Sequence, residues 1–212
     1  MKSKGNIIHK IAVSFLQFFF DLIGKTVVKK DYRIFIQKRD DLVSEDYVKI
    51  YNCLVSLTQE DRPIIEIYLN SEGGTANPDF FKLCDLVKKE RRQRVIRTIS
   101  SGGTSASAAA ILFVMGSDHN RFLRKKTSKI LLHGPQFYHF SIGYLYDSDR
   151  EVLEFSQEEQ ALWVGQIKFY LSVLREYTQI PEDRCIASLK GEDLIFSGEY
   201  ALKLKVADGY LS

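Results

Sequence analysis

Apolar and polar positions fall into blocks whose period changes along the chain, and the changes mark the elements. Arg33-Ile34-Phe35-Ile36 is a short β-type run. Over 46–57, Tyr47, Ile50, Tyr51 and Leu54 recur at helical spacing, ending before Asp61-Arg62-Pro63. Residues 64–69 form a strongly apolar strand that stops at the turn-forming cluster Asn70-Ser71-Glu72-Gly73-Gly74. Pro78 is placed to open a second helix, with Phe80, Phe81, Leu83, Cys84 and Val87 at its apolar positions. Residues 95–99 read as a strand, 100–103 as a turn, and 104–115 as an apolar helix rich in small residues. A further strand is expected over 130–132, a long helix over 149–178 closed by Pro181, and a short helix over 197–204. Strands alternating with helices predict βαβ units and an α/β fold. No fixed-period repeat or low-complexity linker interrupts the pattern.

Composition narrows this picture. A chain of 212 residues, 45% hydrophobic and 27% charged, is expected to form one domain with a short appendage and is not disordered. We divide it into an N-terminal segment over 1–30 and a single domain over 31–212. Thirty basic against 27 acidic residues leave a net charge of +3, too weak a bias to argue for nucleic acid. The basic clusters over 88–97 and 121–129 accordingly read as solvated helix ends and turns. Cys53, Cys84 and Cys185 include no CxxC pair, which argues against a disulfide framework or a zinc site and for a reducing, cytoplasmic location.

The first segment carries an apolar run, IAVSFLQFFFDLI, from Ile11 to Ile23. Its 13 residues fall short of the about 20 that span a bilayer, and Ser14, Gln17 and Asp21 interrupt it. It has the basic start of a signal peptide but no small-x-small cleavage site after it. On a helix, Ile8, Ile11, Phe15, Phe18, Phe19 and Leu22 share one face. That face is expected to pack on the protein or on a neighbouring subunit, with interfacial membrane contact as the alternative.

Three segments carry candidate chemistry. Gly73-Gly74 follows a strand, where glycine lets the chain turn sharply and lets N–H groups approach a ligand. The run SGGTSASAAAILFVMG over 101–116 puts serines near a helix N-terminus, where orphan N–H groups favour an oxyanion. The elbow signature G-x-S-x-G fails there, because Gly103-Thr-Ser105-Ala is followed by Ser107. His133 closes the apolar run Lys129-Ile-Leu-Leu. Each segment also has a plain structural reading, as a tight turn, a packed helix and a hydrogen-bonded histidine. None decides the function alone.

Together, in this order, IEIYLNSEGG, GTSASAAAILFVMG, ILLHGP and FSGEYALKLKVADGYL resemble the proteolytic subunit of the Clp protease, from about Arg33 to the C-terminus. The resemblance implies a crotonase-like fold of repeated ββα units with a long projecting handle helix. It also implies a serine endopeptidase that cleaves peptides through an acyl-enzyme and needs no cofactor or metal. Its nucleophile maps to Ser107, four after Gly103 and nine before Gly116, and its general base to His133. Its oxyanion hole maps to the backbone N–H groups of Gly74 and Ala108. A serine hydroxyl needs a base to take its proton, and the tetrahedral oxygen needs fixed donors.

The sequence departs from the family at the third triad member. Aligning on Ser197 and Ala201 puts Leu189 where the family has its aspartate, or Ser188 with a one-residue gap. Asp193 is taken as the substitute, with Asp183 in reserve, and slow, Ser107-dependent hydrolysis is expected. Glu72 replaces the proline usual before the glycine pair, Lys205 stands where the closing helix usually has glycine, and 136–146 lacks the family's glycine-rich strand. The resemblance further implies homo-oligomeric rings and a separate AAA+ unfoldase, since the chain has no G-x-x-x-x-G-K-[ST] motif of its own. Two rival readings remain at this point. One is a catalytically weak or inactive ring subunit, and the other is a membrane-associated enzyme resembling signal-peptide peptidases.

Overall fold

The computed structural model describes residues 27–38, 41–137, 140–141 and 157–211. The apolar run from Ile11 to Ile23 lies outside the described residues.

Strand formers at each end of the domain build one eight-stranded sheet. Val27–Lys30 (β1) pairs antiparallel with Arg33–Lys38 (β2), so the sheet begins ahead of Arg33. Parallel to β2 runs Ile64–Ser71 (β3), followed by Val95–Ala106 (β4). The first half of β4 pairs with Arg121–Leu123 (β5), and Gly209–Tyr210 (β10) closes that edge. The second half of β4 pairs with Lys129–Leu132 (β6), which is backed antiparallel by Leu194–Ser197 (β9). One strand therefore serves two parts of the sheet. Gly102, at φ +124°, provides the bend between them. The expected turn over 100–103 is a bulge within β4, where pairing with β3 jumps from Leu69–Ser100 to Ser71–Ser105 before the strand resumes. Gln136–Phe137 (β7) and Phe140–Ser141 (β8) form a separate antiparallel pair, where the family's glycine-rich strand was found missing.

Helices cover the sheet through the faces their sequences predict. Ser44–Gln59 (α1) buries Tyr47, Ile50, Leu54 and Leu57, and its Asp46 carboxylate accepts from Val43 N–H at 3.1 Å. Pro78–Glu90 (α2) starts with proline at its first turn, and Asn77 Oδ1 accepts from the N–H groups of Asp79 and Phe80. Ser107–Val114 (α3) is buried at every residue after the first, which is why it reads apolar all round. Gln157–Tyr177 (α4) sinks Trp163, Ile167, Tyr170 and Leu174 into the same core. Each such side chain contributes about 1.5–3 kcal/mol of burial.

The C-terminal part differs most from expectation. Between α4 and β9 lies Glu182–Leu189 (α5), and the expected closing helix is β9 followed by Gly198–Lys203 (α6). Lys205 sits at φ +53°, the left-handed region where glycine is favoured, so the family's glycine preference there has a visible cause. Arg121 corrects the reading of 121–129 as solvated. It is 4% exposed and forms a forked pair with Asp208, with Nε to Oδ2 at 2.9 Å and Nη2 to Oδ1 at 2.8 Å. Its remaining donors reach the carbonyls of Val114 and Tyr177. Burial alone would raise the Asp208 carboxyl, but the hydrogen bonds and charge of Arg121 outweigh it and hold the group below the usual carboxylate range.

A depressed folded-state pKa means that this stabilisation is fully present above the unfolded carboxyl's range of about 4. It is lost as pH falls through the folded value below that. Asp208→Asn, which strands a buried guanidinium, is expected to cost about 3–5 kcal/mol at neutral pH, read from urea denaturation. The difference from wild type is expected to shrink on acidification.

Candidate active site

The junction from β4 to α3 makes the first feature. Ser107 lies there at φ +52°, a conformation a residue with a Cβ seldom adopts. Such a tight strand-to-helix turn projects its side chain away from both elements. The sequence lacks the glycine spacing expected of that elbow, and the structure shows where the room comes from. Gly73, on the neighbouring loop, lies so close that a Cβ on it would sit 2.4 Å from both Ala106 O and Ser107 Cβ. The close approach that an elbow usually secures with its own glycines is secured here across space.

The same loop is fixed on its other side. Leu42 N–H donates to Gly73 O at 2.6 Å, and Leu42 and Gly74 form an isolated parallel bridge. Gly73 is therefore wedged against the start of α3 and Gly74 against Leu42. Ala108 is in the first turn of that helix, where backbone N–H groups have no intrahelical acceptor.

A cavity of about 660 Å³ opens at this point. Gly74, Ser107, Ala108 and His133 all line it. Phe80, Phe81, Ile111, Leu162, Trp163 and Phe169 supply an apolar wall. Phe81 and Phe169 meet edge to face with centroids 5.1 Å apart, which joins α2 to α4. Asp41 and Glu72, both exposed, are the carboxylates on the lining.

His133 follows β6 and is half-buried. Its Nδ1 lies 2.8 Å from the carbonyl oxygen of Gly134. Gly134 is pressed against the end of α5, because a Cβ on it would meet Leu189 Cα and Ser188 O, each at 2.8 Å. The position that aligns with the family's aspartate thus lies beside the histidine loop, filled by buried Leu189. Asp193 is exposed in the turn before β9 and does not line the cavity. Burial raises the Tyr170 hydroxyl above its ordinary range, and the charge of Asp193 adds to that shift. Asp183 is exposed in the first turn of α5. The structure therefore brings Gly74, Ala108, Ser107 and His133 together and leaves both candidate acids outside. The Gly134 carbonyl and Tyr170 escaped sequence reasoning, since a backbone acceptor leaves no residue-type signal.

Thiol chemistry has no support here. Burial pushes the Cys185 thiol up to about 11 and the fully buried Cys84 well above its ordinary value. Among the described residues no group of three or more His, Cys, Asp or Glu side chains is placed to hold a metal ion. Nor is any described helix long and apolar enough to cross a membrane.

The bent strand shared by two parts of a sheet, with the helices stacked over it, is the α/β crotonase-like fold. The Clp protease family model matches residues 22–154, and the chain belongs to that family of peptidases. The match contains Ser107 and His133 and stops before α4 and α5. A crystal structure of a peptidase from Plasmodium falciparum shares the fold, with a TM-score of 0.65 and 18% identity over 85% of this chain and 96% of that one. No curated protein matches the chain.

Proposed function

We propose that the protein is a serine endopeptidase in which Ser107 is the nucleophile and His133 the general base. The observation that carries this is Ser107 itself, a non-glycine residue at φ +52° on the wall of a cavity it shares with His133. His133 would take the Ser107 proton as Oγ attacks a peptide carbonyl. The developing oxyanion would be met by the N–H groups of Gly74 and Ala108, each such donor being worth about 10²–10³ in rate. His133 would then pass its proton to the leaving amine, and water would release the acyl group by the same route. The aromatic wall would bury an apolar side chain of the substrate. As in the family, the enzyme would work as a homo-oligomeric ring supplied by an ATP-driven unfoldase.

A fluorophosphonate probe tests this directly. It is expected to form one adduct, located on Ser107 by peptide mapping. Absence of labelling at Ser107 would favour the inactive ring subunit, a reading whose structural support is Leu189 at the acid's position. Liposome flotation that depends on the run from Ile11 to Ile23 would favour the membrane-associated one.

A further inference from the structure

We infer that the backbone carbonyl of Gly134, on a residue whose N–H is tied to Ser188 and through it to Tyr170, replaces the carboxylate that orients the histidine in this family. The inference rests on the assignment of Ser107 and His133 above and adds a positioning network behind them.

The first link is the contact of 2.8 Å between His133 Nδ1 and Gly134 O. A carbonyl oxygen can only accept, so Nδ1 must carry the proton, and Nε2 is left with its lone pair. That is the tautomer a general base needs. An orienting acceptor works only if it is itself fixed. Gly134 N–H donates to Ser188 O at 3.1 Å, so the peptide just before that carbonyl is tied to the last turn of α5. The same carbonyl of Ser188 also takes Gly191 N–H at 3.3 Å. On its side chain, Ser188 Oγ donates to Cys185 O at 2.7 Å. Its one proton is then used, so the contact of 2.9 Å to Tyr170 is a bond donated by the tyrosine hydroxyl. Tyr170 and Ser188 are both buried, and Tyr170 belongs to α4. The chain of bonds therefore runs from a long core helix, through the end of α5, to the imidazole.

The replacement is partial in a defined way. A carbonyl dipole fixes ring orientation and tautomer as a carboxylate does, but it brings no net negative charge to stabilise the imidazolium. Losing the correct tautomer accounts for most of the about 10⁴-fold cost of removing a triad acid. That portion is recovered here, and the charge portion is not.

The tautomer can be read in the resting protein by long-range ¹H–¹⁵N correlation spectra of the uniformly labelled full chain, with His133→Gln to assign the signal. In its neutral form His133 is expected to show a protonated Nδ1 and a free Nε2. Ser188→Ala removes the acceptor of Tyr170, and Tyr170→Phe removes the donor while sparing the bond to Cys185. Each is expected to populate the Nε2–H tautomer and to lower kcat about tenfold with KM within twofold, the scale of a sub-ångström misplacement. A wild-type His133 in the Nε2–H form overturns the inference. So does an unchanged tautomer and kcat in both variants, and so does a tautomer that shifts in Asp193→Asn. Because the spectra need no turnover, they answer this question whether or not the peptidase assignment survives.

Discussion

Ser107→Ala is expected to lower peptide turnover by about 10⁴–10⁶-fold, to the level that oxyanion donors and binding alone sustain. The lower end applies if chemistry in the wild type is already slowed by the missing carboxylate. His133→Ala should fall to the same level, and the double variant should fall no further. Nucleophile and base act as a unit, so removing either one forfeits what the other supplies. KM should change little, because neither side chain forms the apolar wall. Quenched-fluorescence peptide assays on purified oligomer would measure this. Losses that multiply in the double variant would show two independent roles and refute the pairing.

Gly73→Ala should be nearly as damaging by a different route. At φ +99° an alanine is strained, and its Cβ would fall 2.4 Å from a backbone oxygen and from the Cβ of Ser107. Neither neighbour is the far end of a flexible side chain, so the loop or the start of α3 must move. A backbone in such a region costs of order 1–3 kcal/mol, before the clash is counted. The displaced pieces are those that hold Ser107, Gly74 and Ala108. A shift of about 1 Å there is expected to cost at least about 100-fold in kcat. The chain should still fold, since the substitution removes no side chain from the hydrophobic core. Circular dichroism near that of the wild type with lost turnover and slowed fluorophosphonate labelling is the expected pair of results. Retained activity would show that the glycine pair is not part of the catalytic frame.

Much of this was legible in the sequence where the signal was periodic. The strand over 64–69, the helix opened by Pro78 and the apolar run into α3 appear where hydrophobic spacing put them, because burial dictates both pattern and fold. Ser107 and His133 were found by the order of their blocks rather than by local pattern. Locally, Ser107 looked like any small helical residue, since the glycine that makes its elbow possible lies in another loop. Short elements escaped for the opposite reason. β5 has three residues flanked by basic ones, and its arginine is buried only because Asp208, far along the chain, comes to meet it. The third triad position shows the limit most clearly. Side-chain identity pointed to Asp193, while in the structure the atom facing His133 Nδ1 belongs to a peptide group, which every residue carries alike.

The order in which these parts leave the ribosome sets when the enzyme can first act. Ser107 and His133 are synthesised before α4 and α5, and the clamp on His133 closes only once Ser188 has been made. At about 5–20 residues per second, the 55 residues from His133 to Ser188 take roughly 3–11 s to add. Throughout that interval the loop that carries His133 and its Gly134 acceptor lacks its tie to Ser188. If the clamp orients His133 as inferred, the working imidazole is complete only after the C-terminal helices have docked on the loop that carries it.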